Sequence, residues 1–208
     1  MPSGPSGPSP STWCFSPGIR QVEEVCARTG HSQVDVIGHD LGGLIARHYV
    51  QRLGGDTRAH TLVTLGTPHG GTRIAPLLSA HPLVRQMCPD SEVITELRQP
   101  APDCHTRFIA FWSDVDQLMI PAVTARIDHP DVISQNIRVN GIGHLALAVH
   151  SAVATGIHEA LDTADEASAG ASGAFSKLPK PRNCRTSIEH PAKDARTVSR
   201  KTAKCPLP

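Results

Sequence analysis

The sequence predicts an α/β protein with a parallel sheet of about four strands flanked by helices. Three observations carry that prediction. Short apolar or β-branched runs recur at Val34–Ile37, "HTLVTLG" (60–66), "RFIAFWS" (107–113) and "NIRVNGIGH" (136–144). Segments with apolar residues at helical spacing lie between and around them. The runs read as buried rather than alternating, which suits strands covered on both faces.

Taken in order, Ile19, Val22, Val25 and Cys26 fall at helical spacing, and Gly30 closes that helix. Val34–Ile37 is the first strand. From Leu41 to Leu53 apolar residues stand at 41, 44, 45, 49, 50 and 53, and Gly54-Gly55 follows as a stop. After the second strand, "TPHGGT" is a turn, in which His69 is expected to be structural, and Ile74–Leu83 is weakly helical. The third strand leaves through the loop "SDVDQLMIP". The fourth carries a loop ending at His144, and Leu145–Leu161 forms the last helix. In parallel sheets, ligands sit beyond the carboxyl ends of the strands. Asp40, the loop after Ser113 and the loop at His144 all lie at that end, so chemistry is expected there.

The ordered domain is expected over residues 18–164 of the 208. Residues 1–17 are mostly Pro, Ser and Gly and read as disordered. They have no charged start followed by an apolar core, so they are not a signal peptide. Residues 165–208 hold nine Lys/Arg against four Asp/Glu and read as a disordered, solvated basic tail, with no nucleic-acid partner expected. No apolar run reaches the roughly 18 residues of a membrane span. The six cysteines have no C-x-x-C spacing. Cys88 and Cys104 flank one loop region, which leaves a disulfide and two free thiols both open. "DHPD" (128–131) has the residue types of a metal site but reads better as a solvated loop. No glycine pair is followed by the Lys-Ser/Thr of a phosphate loop. Hence neither metal nor cofactor is expected, and partner proteins and compartment stay open.

The stretch "VDVIGHDLGGLIARHYVQRLGG" (34–55) joins a strand to a helix through a glycine-flanked turn. That is the form of a nucleophile elbow, in which Gly38 and Gly42 allow close approach of the neighbouring elements and Gly43 adds room. Asp40 stands at the elbow, and the amide of Leu41 is one oxyanion donor. His144, in Gly-Ile-Gly-His after the last strand, fits a general base. Asp116 fits best as the acid that orients it, with Asp114 as the alternate. Nucleophile, acid, histidine is the chain order expected of this arrangement.

With "HTLVTLGTPHGGT", "FWSDVDQLMIP" and "GIGH", that stretch resembles the bacterial, actinobacterial-type triacylglycerol lipase/esterase group of the α/β-hydrolase superfamily, over roughly residues 18–160. The resemblance implies a partial α/β-hydrolase fold and hydrolysis of small-molecule or lipid esters. It puts Asp40 at the nucleophile serine, Asp116 at the acid and His144 at the base. Relatives are often secreted or envelope-associated. They carry further strands and a His-Gly loop ahead of the elbow, and no His-Gly motif precedes Asp40 here.

Aspartate at the elbow changes the expected chemistry. A carboxylate attacking an ester carbonyl gives a mixed anhydride, and a second anion beside His144 favours imidazolium over base. Loss of a triad nucleophile costs on the order of 10⁶ in rate. An impaired ester hydrolase is therefore the first expectation. Haloalkane dehalogenases and epoxide hydrolases, which use aspartate on sp3 carbon, are the second. They usually place Trp after the aspartate, where this chain has Leu41, and epoxide activation uses two tyrosines, where this chain has Tyr49 alone. A non-catalytic, truncated protein is the third.

Overall fold

The computed structural model describes residues 10–78 and 81–171. Its helices are α1 (Pro10–Thr29), α2 (Leu41–Arg52), α3 (Ala75–Leu78), α4 (Pro82–Arg85), α5 (Glu92–Leu97), α6 (His144–Leu147) and α7 (Ser151–Ala171). Its strands are β1 (Val34–His39), β2 (Ala59–Leu65), β3 (Arg107–Ser113) and β4 (Ile133–Val139). They form one parallel four-stranded sheet in the order β1-β2-β3-β4. This is the expected parallel sheet of about four strands with flanking helices.

Side chains alternate between the two faces of the sheet, and each face has its own core. Leu62, Phe108 and Ala110 meet Ala46, Tyr49 and Val50 of α2. Val63, Leu65, Ile109, Phe111 and Val139 meet Leu147 of α6 and Val153 and Ala160 of α7. A third cluster joins Leu44 of α2 to Ala75, Met87, Val93, Ile94 and Leu97. So α2 is anchored on two sides, and the turn at its start inherits that rigidity.

Helix α1 starts at Pro10, ahead of the expected boundary at Gly18. Proline suits a first helical turn, where its missing N–H has no partner to lose. Gly30 ends the helix with φ 76°, as expected. Residues 1–9 of the segment expected to be disordered lie outside the described residues. At the other end, α7 runs through Ala164 to Ala171, and residues 172–208 of the expected tail lie outside the description.

Several boundaries differ from expectation. The fourth strand begins at Ile133 rather than Asn136, because ladder bonds to β3 from Arg107 onward extend it over exposed polar residues. The last helix is broken into α6 and α7, and His150 Nδ1 accepts from the Ala152 amide at 3.2 Å at the second start. Between β2 and β3 lie three short helices instead of one weak one. Of these α5 has a clear start: Ser91 Oγ accepts from the Ile94 amide at 3.2 Å. Cys88 and Cys104 are free thiols packed in different clusters, which resolves the open pairing. Burial pushes the Cys104 thiol up to about 12. Among the described residues, no helix is long and apolar enough to cross a membrane.

Candidate active site

The turn from β1 to α2 carries Asp40 at φ 51° and ψ −125°. It is the one non-glycine residue with positive φ among those described. Such a backbone costs about 1–3 kcal/mol and persists only where the surroundings fix it. Here the Asp40 amide donates to the Leu65 carbonyl at 3.0 Å, and its own carbonyl accepts from the Gly43 amide at 3.1 Å. A Cβ on Gly38 would come within 2.5 Å of Gly43 Cα, so strand and helix touch through bare backbone. Gly43 in turn leaves space for the side chain of Thr67. Gly42 was expected to share the close approach, but it faces open space. Gly43 takes that role instead, because it is the helix residue turned toward β1. Leu41 opens α2, so its amide belongs to the helix's unpaired first turn and sits at the positive end of the helix dipole.

His144 opens α6 and is 3% exposed. Its Nδ1–H donates to Asp116 Oδ2 at 2.9 Å. Asp116 is itself buried, and its Oδ1 accepts from the amides of Leu118 at 2.9 Å and Met119 at 3.1 Å. Both oxygens of that carboxylate are thus held, one by backbone amides and one by the imidazole. Asp114, the alternate acid, pairs instead with Arg138 at the surface. Beyond the imidazole, Nε2 lies 3.9 Å from Asp40 Oδ1. Asp40 is 32% exposed at its side chain, yet Oδ1 is buried without a hydrogen-bond partner. Asp40, Asp116 and His144 therefore converge on one spot.

The electrostatics follow from that geometry. Burial pulls the His144 value down, but the hydrogen bond and charge of Asp116 and the charge of Asp40 outweigh it, and the net shift is upward. His144 is thereby biased toward imidazolium. His39, which the sequence did not single out, also contacts His144. Its Nε2–H donates to the His144 carbonyl at 3.2 Å, and the two rings are 4.7 Å apart. Only its position next to Asp40 in the elbow hinted at that proximity.

The other singled-out residues serve the scaffold. His69 Nε2 bonds Thr64 Oγ1 at 2.9 Å, and burial, aided by the nearby Arg47 charge, holds its value well below the usual range. The buried Arg47 guanidinium donates to the carbonyls of His69 and Leu97, and burial lowers its value to about 10. In "DHPD", His129 Nε2 meets the Gln99 carbonyl at 3.0 Å and Asp131 accepts from the Ala101 amide at 2.9 Å. Those side chains staple a loop.

A strand–turn–helix at the end of β1 with an aspartate–histidine pair after β3 and β4 is an arrangement of the α/β-hydrolase class. Residues 10–131 match the palmitoyl protein thioesterase family, and the chain belongs to it. That match includes Asp40 and Asp116 and ends before His144. Solved structures similar to it include an α/β-hydrolase enzyme from the metagenome of sediments of the Mar Chica lagoon, Morocco. It is 18% identical with a TM-score of 0.49, over 73% of this chain and 71% of that one. Another is the product of a Listeria innocua gene, 19% identical with a TM-score of 0.46, over 69% and 61%. A third is a Bacillus licheniformis lipase in mature form, 14% identical with a TM-score of 0.48, over 61% and 64%. The chain thus spans less than two thirds of the length of the Listeria and Bacillus proteins.

Proposed function

We propose that the chain carries an acyl-ester hydrolase site whose cleavage step is impaired by Asp40. The observation that carries this reading is the pair of carboxylates on His144: Asp116 at 2.9 Å on Nδ1 and Asp40 at 3.9 Å on Nε2. Nε2 is the atom that would take a proton from a hydroxyl nucleophile. It faces an anion that has no proton to give. Asp40 takes the place of the nucleophile serine in this reading, and the substrate class is a carboxylic ester or thioester of a fatty acyl chain, in line with the family's name. The upward shift of His144 also reduces the share of neutral imidazole that a general base needs.

Asp40→Ser tests this reading. It replaces the anion by a hydroxyl. Hydrolysis of a short-chain acyl ester that depends on His144 is expected to appear in the variant. A serine variant as inert as the parent would count against the proposed block at Asp40.

The buried, partnerless Asp40 Oδ1 favours one second reading: attack on sp3 carbon. The oxygen would displace a halide, breaking the carbon–halogen bond and leaving an alkyl ester on Asp40. That ester is uncharged, so His144 would lose the Asp40 contribution to its raised value and could then take a proton from water attacking the Asp40 carbonyl carbon. The epoxide branch is less favoured, since Tyr49 lies 5% exposed in the core beneath α2. Incubation with haloalkanes and intact-mass measurement discriminates: an adduct on Asp40 with halide release supports this reading, and absence of both removes it.

A further inference from the structure

Gly66 follows the last residue of β2 and has φ +50°. Its amide donates to the Phe111 carbonyl at 2.9 Å, which fixes the end of β2 against β3. Its Cα faces the acid–base pair. A Cβ at this position would lie 2.9 Å from Asp116 Oδ2, 2.9 Å from Leu147 Cδ1 and 3.1 Å from His144 Nδ1. Two of those three atoms are the donor and acceptor that share the imidazole proton. The third belongs to α6, the short helix that also carries His144, so pressure on Leu147 bears on His144 as well.

We propose that Gly66 is a positioning residue: its bare Cα is the floor on which the Asp116 carboxylate and the His144 imidazole meet. The inference rests on the acid–base pair of the proposed site. Left-handed backbone alone does not account for the glycine's contacts. Gly54 has φ 79°, and a Cβ there would meet nothing within 4 Å. Alanine at 54 therefore carries the backbone cost without touching the pair, and alanine at 66 carries both.

The test is an NMR titration of the His144 ring in the full chain, for the parent, Gly66→Ala and Gly54→Ala, with unfolding curves alongside. Asp116 on Nδ1, Asp40 near Nε2 and the His39 ring face His144, and all three are retained in each variant. In the parent and in Gly54→Ala the midpoint is expected above the ordinary value and the Nδ1 proton far downfield. In folded Gly66→Ala the midpoint is expected to fall and the downfield proton to be lost. A folded Gly66→Ala protein with the parent's titration would overturn the proposal, and so would an equal fall in Gly54→Ala. If Gly66→Ala does not fold, it is placed on Asp116→Ala, where removal of the carboxylate is expected to restore folding; failure there too would overturn it. A parent midpoint at the ordinary value would instead sink the acid–base pair itself, and the proposal with it.

Discussion

At the scale of single residues, the chemistry turns on which protons His144 holds. Its value is raised in the fold and lies at 6.5 when unperturbed. Protonation of His144 therefore contributes stability that is fully present below about pH 6.5 and is lost as pH rises through the raised value. The stability advantage of the parent over His144→Gln, read from urea unfolding, is expected to shrink as pH rises across that window. A constant advantage would contradict the upward shift. Removing Asp40 removes one of the contributions that raise the value. In Asp40→Ser the alkaline-rising limb of any hydrolysis is accordingly expected below the His144 midpoint of the parent, measured by NMR; a limb at or above it would deny the Asp40 contribution. The sequence favoured Asp116 over Asp114 by its place in the loop, and in the structure His144 bonds Asp116 while Arg138 pairs with Asp114. His39 and Gly66 were not legible as neighbours of the base. Their contacts bridge 105 residues for the His39 bond to His144, a separation that local spacing does not encode.

At the scale of elements, the elbow separates two glycines that look alike in sequence. Gly38→Ala forces a Cβ into the Gly43 backbone and is expected to destabilise by about 1–3 kcal/mol, as overpacking does. Gly42→Ala meets nothing and lies in helix α2, so it is expected to be neutral or to stabilise by up to about 1 kcal/mol. Chemical denaturation of both variants checks the pair, and equal costs would contradict the geometry. The strands β2 and β3 were legible because burial on both faces demands continuous apolar residues, and β1, an edge strand, was legible from its short β-branched run alone. The start of β4 was not, since an outer strand is held there by ladder bonds over Ser134 and Gln135, which are exposed. The helix α5 carried a readable sign in Ser91 ahead of Val93, Ile94 and Leu97, but its six residues are too few to give a clear period.

At the scale of the molecule, β1 and β4 are the outer strands of the sheet. Ile37 of β1 is 54% exposed on the face opposite α2. Exposed apolar side chains on an outer strand favour pairing between copies, and a charge there opposes it. Ile37→Lys is expected to lower self-association in sedimentation velocity while changing stability by no more than about 0.5 kcal/mol, as at other surface positions. Unchanged association would remove β1 as its source. The fold class and the convergence of Asp40, Asp116 and His144 were legible together because three motifs stand at the carboxyl ends of three strands in one chain direction. What the aspartate does there is the central claim, and ester hydrolysis by the intact protein tests it most directly. Release of p-nitrophenol from a short-chain ester is measured for the parent beside His144→Ala. The expected result is equal, background-level rates; faster, His144-dependent turnover by the parent with Asp40 intact would contradict the account.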